Sequence, residues 1–157
     1  MVAVPKHVQD HYQEIILAID IMHVNQIPFL ITASRHIHYH TASVLPSMNG
    51  GIIVSALCVL YKFYQKCNFQ ITEVLADCQF AVCQHNLAAL QMNLNYMSKD
   101  QHIPEVERLT QTIKEQCRCS FHTTLFKKLL RGLTIGLLKN VMFYLNAFPD
   151  KDGVLKD

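Results

Sequence analysis

The sequence has no tryptophan, only five glycines and five prolines in 157 residues, and no large excess of either charge. So few chain-breaking residues, with half the side chains apolar, exclude collagen-like, low-complexity and disordered chains. No apolar run approaches the roughly 18 residues that a membrane span requires. Even the apolar last third is interrupted by Lys139, so no membrane partner is expected. The six cysteines (Cys58, Cys67, Cys78, Cys83, Cys117 and Cys119) include no CxxC pair and no second half of a zinc motif. The opening MVAVPKHVQDHYQE is too polar for a secretory leader. The cysteines therefore read as reduced, mostly buried thiols of a soluble intracellular protein.

What is present fits one domain with a sizeable core. The formal charge is only +2, but it is unevenly spread. Between Arg108 and Lys139 seven Lys and Arg face a single acid, Glu115, while acids predominate in the rest of the chain. A basic face of this kind most often serves nucleic acid, the alternative being an ordinary solvated helix surface.

Hydrophobic periodicity gives the order of elements. Residues 15–22 (IILAIDIM) are an Ile-rich run that predicts a buried strand. A turn at Asn25-Gln26 leads to a second strand over 27–32, and the alternating HIHYHTASVL of 36–45 predicts a third. Residues 52–66 place Ile53, Ala56, Leu57, Leu60, Phe63 and Tyr64 at helical spacing. A fourth strand over 71–76 runs into Asp77, followed by a helix over 80–90 and a fifth strand over 91–96. Pro104 suits the first turn of a helix reaching about Cys119, and a last helix is expected over 123–146. The order β-β-β-α-β-α-β-α-α describes an α/β domain with a mixed five-stranded sheet flanked by helices. It occupies residues 13–148, between an N-terminal extension (1–12) and a disordered tail (149–157).

Three acids call for a reason. Asp20 interrupts an otherwise apolar strand, where an unpaired carboxylate costs several kcal/mol and so needs a partner such as a metal. Asp77 ends another apolar strand, at the edge where open α/β sheets carry their sites. Glu107 lies in the first turn after Pro104, where the helix dipole alone accounts for Glu105. Together they suggest a carboxylate cluster that holds hard divalent cations through oxygen. Two such ions can activate an attacking oxygen and stabilise a leaving one in phosphoryl transfer.

The segments LAIDIMHVNQIPFLITASRHIHYHTAS, LADCQF and above all HIPEVERLTQTIKEQCR resemble the integrase catalytic core of copia-type retrotransposons. The closing NAFPDKDGV is similar to the end of that domain in pol polyproteins of algal and other protist elements. The resemblance implies the ribonuclease H-like fold, with Asp20, Asp77 and Glu107 as its D,D-E triad. Glu107 is chosen over Glu105 because the family's Glu-Arg and following Thr-Ile-x-Glu fall on Glu107-Arg108 and Thr112-Ile113-Lys114-Glu115. The triad would hold two Mg²⁺ or Mn²⁺ for 3′-end processing and strand transfer. DNA ends and target DNA would be the partners, with no small-molecule substrate, a homo-oligomer as the assembly, and the nucleus or a virus-like particle as the place. The chain departs from the pattern at Asp77-Cys78-Gln79, at His102-Ile103-Pro104, and in a shortened spacing between Asp77 and Glu107. A fragmentary or degenerate copy, acting as an inactive module that binds nucleic acid or protein, is the alternative.

On the helix after Glu107, Gln111, Lys114 and Arg118 share one face and form a candidate DNA track. Lys127, Lys128 and Arg131 would extend it. His36, His38 and His40, if they alternate along the third strand, share a face and form a weaker zinc, nickel or copper alternative. Cys117 and Cys119 are two apart on a helix and read as unrelated packing residues. The methionines read as core filler.

Overall fold

The computed structural model describes residues 11–97, 103–125 and 128–148. Strand β1 (Glu14–Val24) turns at Asn25-Gln26 into β2 (Ile27–Ser34), which pairs antiparallel with β3 (His40–Val44). Both turn residues take positive φ, 49° and 63°. That is the two-residue geometry whose twist matches the paired strands it joins. Helix α1 (Gly50–Lys66) starts at Asn49, whose Oδ1 accepts the Gly51 N–H at 3.2 Å. Strand β4 (Gln70–Asp77) follows, then a 3-10 helix (Cys78–Cys83), a short helix α2 (Gln84–Ala89) and β5 (Asn93–Met97). Helices α3 (Pro104–His122) and α4 (Arg131–Ala147) complete the described chain.

The five strands form one open sheet in the order β3-β2-β1-β4-β5. β1 is antiparallel to β2 and parallel to β4, and β4 is parallel to β5. β1 is therefore the centre of the molecule, and its alternation supplies two cores. Ile15, Leu17 and Ile19 pack with Ile53, Leu57, Leu60 and Tyr64 of α1 on one side. Ala18 and Met22 pack with Val106, Leu109 and Ile113 of α3 and Leu138, Val141 and Met142 of α4 on the other. The result is an α/β domain of three layers with helices on both faces of a mixed sheet.

Most strand ends shift by one or two residues from the periodicity reading, the fifth strand for example beginning at Asn93 rather than 91, and three departures are larger. The third strand begins at His40 rather than at residue 36. His36 and His38 hold φ of 71° and 48°, outside any strand, while the Ser34 hydroxyl engages both the N–H (2.9 Å) and the carbonyl (3.0 Å) of Tyr39. Residues 80–90 divide between the 3-10 helix and α2. The last helix begins at Arg131, not at 123, because α3 runs on to His122 and then turns. In that turn the Thr123 and Thr124 hydroxyls donate to the carbonyls of Ser120 (2.8 Å) and Phe121 (2.7 Å). The proposed tail, most of the N-terminal extension and Lys127 lie outside the described residues. No helix among the described residues is long and apolar enough to cross a membrane.

The cysteines are less buried than expected. All six are free thiols, but only Cys83 and Cys117 are buried, and Cys119 is exposed. Burial pushes the Cys83 and Cys117 thiols up, so neither is a ready nucleophile.

Candidate acidic site and its basic flank

The pairing of β1 with β4 runs as far as Ala18–Leu75. Asp20 and Asp77 each lie two residues beyond that pair, level with one another on adjacent strands. Ala18 and Leu75 belong to the core on the α3 side, so alternation turns both aspartates toward the same layer. Glu107 comes from that layer, in the first turn of α3. The topology thus brings all three acids to one side of the sheet at one end.

Each carboxylate is held differently. Asp20 is half-buried and its Oδ1 accepts the Ile21 N–H at 2.7 Å. Burial raises its pKa above the ordinary value, the Ile21 N–H opposes that rise, and the negative charge of Asp77 adds to it. Lys114 pulls the pKa down again, and Glu107 contributes a smaller upward push. All three neighbours therefore fall within the electrostatic range of Asp20. Asp77 is exposed and its Oδ1 takes the Cys78 N–H, capping the 3-10 helix. That bond sets the direction of the carboxylate, a local consequence of ending a strand on Asp before a helical turn.

The two acids of the first turn of α3 have separate occupations. Glu105 Oε1 forms an ion pair with Arg35 Nε at 2.9 Å, tying the turn after β2 to the start of α3. Partial burial pushes the Glu105 carboxyl up, but the Arg35 hydrogen bond and charge outweigh it, so it titrates below its ordinary value. Glu107 is exposed and borders an open depression of about 290 Å³ with Asp20, Thr110, Gln111, Lys114 and Arg118. Hard oxygen donors in one shared field suit a divalent cation. Among the described residues, however, no three His, Cys, Asp or Glu side chains are grouped so that they could hold an ion as they stand.

Gln111, Lys114 and Arg118 are exposed along one face of α3, beside the line of Val106, Leu109, Ile113 and Cys117 that the helix buries. Gln111 Nε2 donates to Glu115 Oε1 at 3.1 Å, so part of its hydrogen-bonding capacity is used within the helix. Lys114 and Arg118 also border a second groove, together with Lys128.

The histidine alternative is not supported by the backbone. His36 and His38 precede β3, so the three do not alternate on one strand face. They do border a common cleft of about 560 Å³ with Arg35 and Arg108. His40 is the most enclosed, and burial, with help from His38, lowers its pKa to about 4.

Sequence reasoning overlooked Arg35 and Asn25, which position the surroundings of the site. Asn25 Nδ2 donates to the Leu129 carbonyl (3.1 Å) and to Thr134 Oγ1 (3.2 Å), locking the β1–β2 turn to the start of α4. The only sequence signal was the turn itself, since both partners lie more than a hundred residues away. No protein-family model matches the chain, and no curated protein matches it.

Proposed function

We propose that this chain is an integrase-like catalytic core of the ribonuclease H-like fold, performing metal-dependent phosphoryl transfer on DNA. The observation that carries the reading is the placement of Asp20 and Asp77 level on adjacent parallel strands, with Glu107 in the electrostatic range of Asp20 on the helix that packs against β1. The sheet order, three antiparallel strands followed by two parallel ones, is what such a fold requires. Asp20, Asp77 and Glu107 would hold two Mg²⁺ or Mn²⁺, which supply an activated oxygen and charge stabilisation at the scissile phosphate. Around them the protein's own groups have distinct tasks. The Ile21 and Cys78 N–H groups fix the two aspartates, Arg35 pairs with Glu105, and Glu107 borders the depression beside Asp20. Lys114 and Arg118 attract the phosphate backbone toward the site.

The same reading takes DNA as partner and a homo-oligomer as the assembly, with the exposed Leu133, Phe143 and Tyr144 of α4 as its contact surface. It places the protein in the nucleus or in a virus-like particle. A second reading, a silent copy that keeps the fold and binds DNA or protein without reacting, is favoured by the absence of a closed three-ligand group among the described residues.

Incubation of the chain with a labelled DNA duplex and Mn²⁺ separates them. An active core produces nicked or joined strands, and Asp77→Asn and Glu107→Gln each abolish the products while the folded circular dichroism spectrum is retained. Products that survive both substitutions refute the triad. A folded wild-type protein that yields none and shows no stabilisation by Mn²⁺ is the silent copy.

A further inference from the structure

The groove on the far side of Lys114 and Arg118 has a composition opposite to that of the acidic depression. It encloses about 430 Å³, within the range of sites that bury an organic ring. Three cations border it, Lys114, Arg118 and Lys128, and no acid does so among the described residues. Between them lies apolar surface from Val24, Phe121 and Leu137, with the Phe121 ring only partly covered. The Asn25 amide joins the β1–β2 turn to Leu129 and Thr134, and all three residues border the groove. Lys114 and Arg118 border both recesses, so the acidic and basic ends form one continuous track. The two cations stand one helical turn apart, about 6 Å along the axis.

We propose that this groove seats an unpaired base of single-stranded DNA, with the flanking phosphates on Lys114, Arg118 and Lys128. A duplex keeps its base faces stacked and could use only the cations. A single strand can use the ring and the apolar walls as well, because every base has a face that stacks on an aromatic side chain. Cations alone on a helix would be a solvated surface. Cations around a partly aromatic recess reward a ligand that is anionic outside and flat and apolar within. The inference rests on the nucleic-acid reading above and adds to it a preference for an unstacked end over an intact duplex.

The test is performed on the full chain in EDTA, which removes any metal ion from the carboxylates. Fluorescence anisotropy compares an oligothymidylate with an abasic deoxyribose-phosphate oligomer of equal length. One stacked base contributes about 1–3 kcal/mol, so the base-bearing strand is expected to bind about 5- to 150-fold more tightly. Phe121→Leu keeps an apolar side chain but removes the ring and is expected to erase that difference, whereas Phe121→Tyr retains it. Lys128→Ala, an exposed change, weakens both oligomers alike and lowers the salt slope by about 0.7. Equal affinity for the two oligomers, or a difference that survives Phe121→Leu, overturns the base seat while leaving phosphate binding intact. Failure to bind either oligomer overturns the seat and the DNA reading together. Loss of the Mn²⁺ response alone leaves the seat standing.

Discussion

His40 provides a pH test whose size can be worked from the fold. It opens β3, and its backbone is clamped on both sides by one side chain. The His40 N–H donates to Asn146 Oδ1 at 2.9 Å, and Asn146 Nδ2 donates to the His40 carbonyl at 2.8 Å. The ring Nδ1 is buried and without a protein hydrogen-bond partner among the described residues. A proton added there gains no acceptor and faces His38, so the pKa falls from 6.5 to about 4. A histidine with a depressed folded pKa contributes stability that is complete above its unfolded value. That stability is lost as pH falls from 6.5 toward 4, because only the unfolded chain accepts the proton there. At 1.36 kcal/mol per unit, the loss on crossing that window is up to about 3 kcal/mol. For a chain of this size that corresponds to a fall in Tm of about 6–12 °C. Thermal melts of the wild type and of His40→Leu between pH 4 and 7.5 isolate the contribution, since the two proteins differ only at that side chain. The wild-type curve should fall more steeply with acid, and the two should run parallel above pH 7. Curves that stay parallel down to pH 4 would refute the assigned burial of the His40 ring.

Asp20 has the opposite sign. Its raised pKa means that the ionised carboxylate opposes folding above that pKa and ceases to do so as acid protonates it. Asp20→Asn, which keeps an oxygen for the Ile21 N–H, should therefore raise the metal-free Tm at neutral pH. The same substitution should remove the Mn²⁺ stabilisation, which in the wild type is about 2.7 kcal/mol at a hundredfold excess over Kd, or about 5–11 °C. A mutant less stable than wild type in EDTA, or one stabilised equally by Mn²⁺, contradicts the cation site. Lys114→Ala should lower the salt slope of duplex DNA binding by about one, read from titrations at several salt concentrations. Lys66→Ala, on α1 across the sheet, should leave it unchanged, and equal behaviour of the two variants would reduce the α3 stripe to ordinary surface charge.

Local chemistry made much of this protein legible. The short, Ile- and Val-containing apolar runs around Asp20 and before Asp77 pointed to buried strands, and the spacing of Ile53, Leu57, Leu60 and Tyr64 pointed to a helix with one buried face. Pro104 marked the start of α3 because its ring occupies a position where no N–H is required. These signals arise within a few residues, and the order of elements followed from them. The third strand misled because His36, Ile37 and His38 alternate convincingly in isolation. Their backbone instead follows the Ser34 hydroxyl, which competes for the Tyr39 amide and turns the chain.

What only the tertiary structure decided is which distant residues meet. Register along β1 and β4 put Asp20 level with Asp77, and the ion pair of Arg35 with Glu105 distinguished two acids that differ by two positions in one helical turn. The clamps from Asn25 to Thr134 and from Asn146 to His40 join residues more than a hundred positions apart. No periodicity records such contacts. They exist because two layers of helix close on a shared central strand, and polar groups trapped between layers take whatever partner the packing brings within reach.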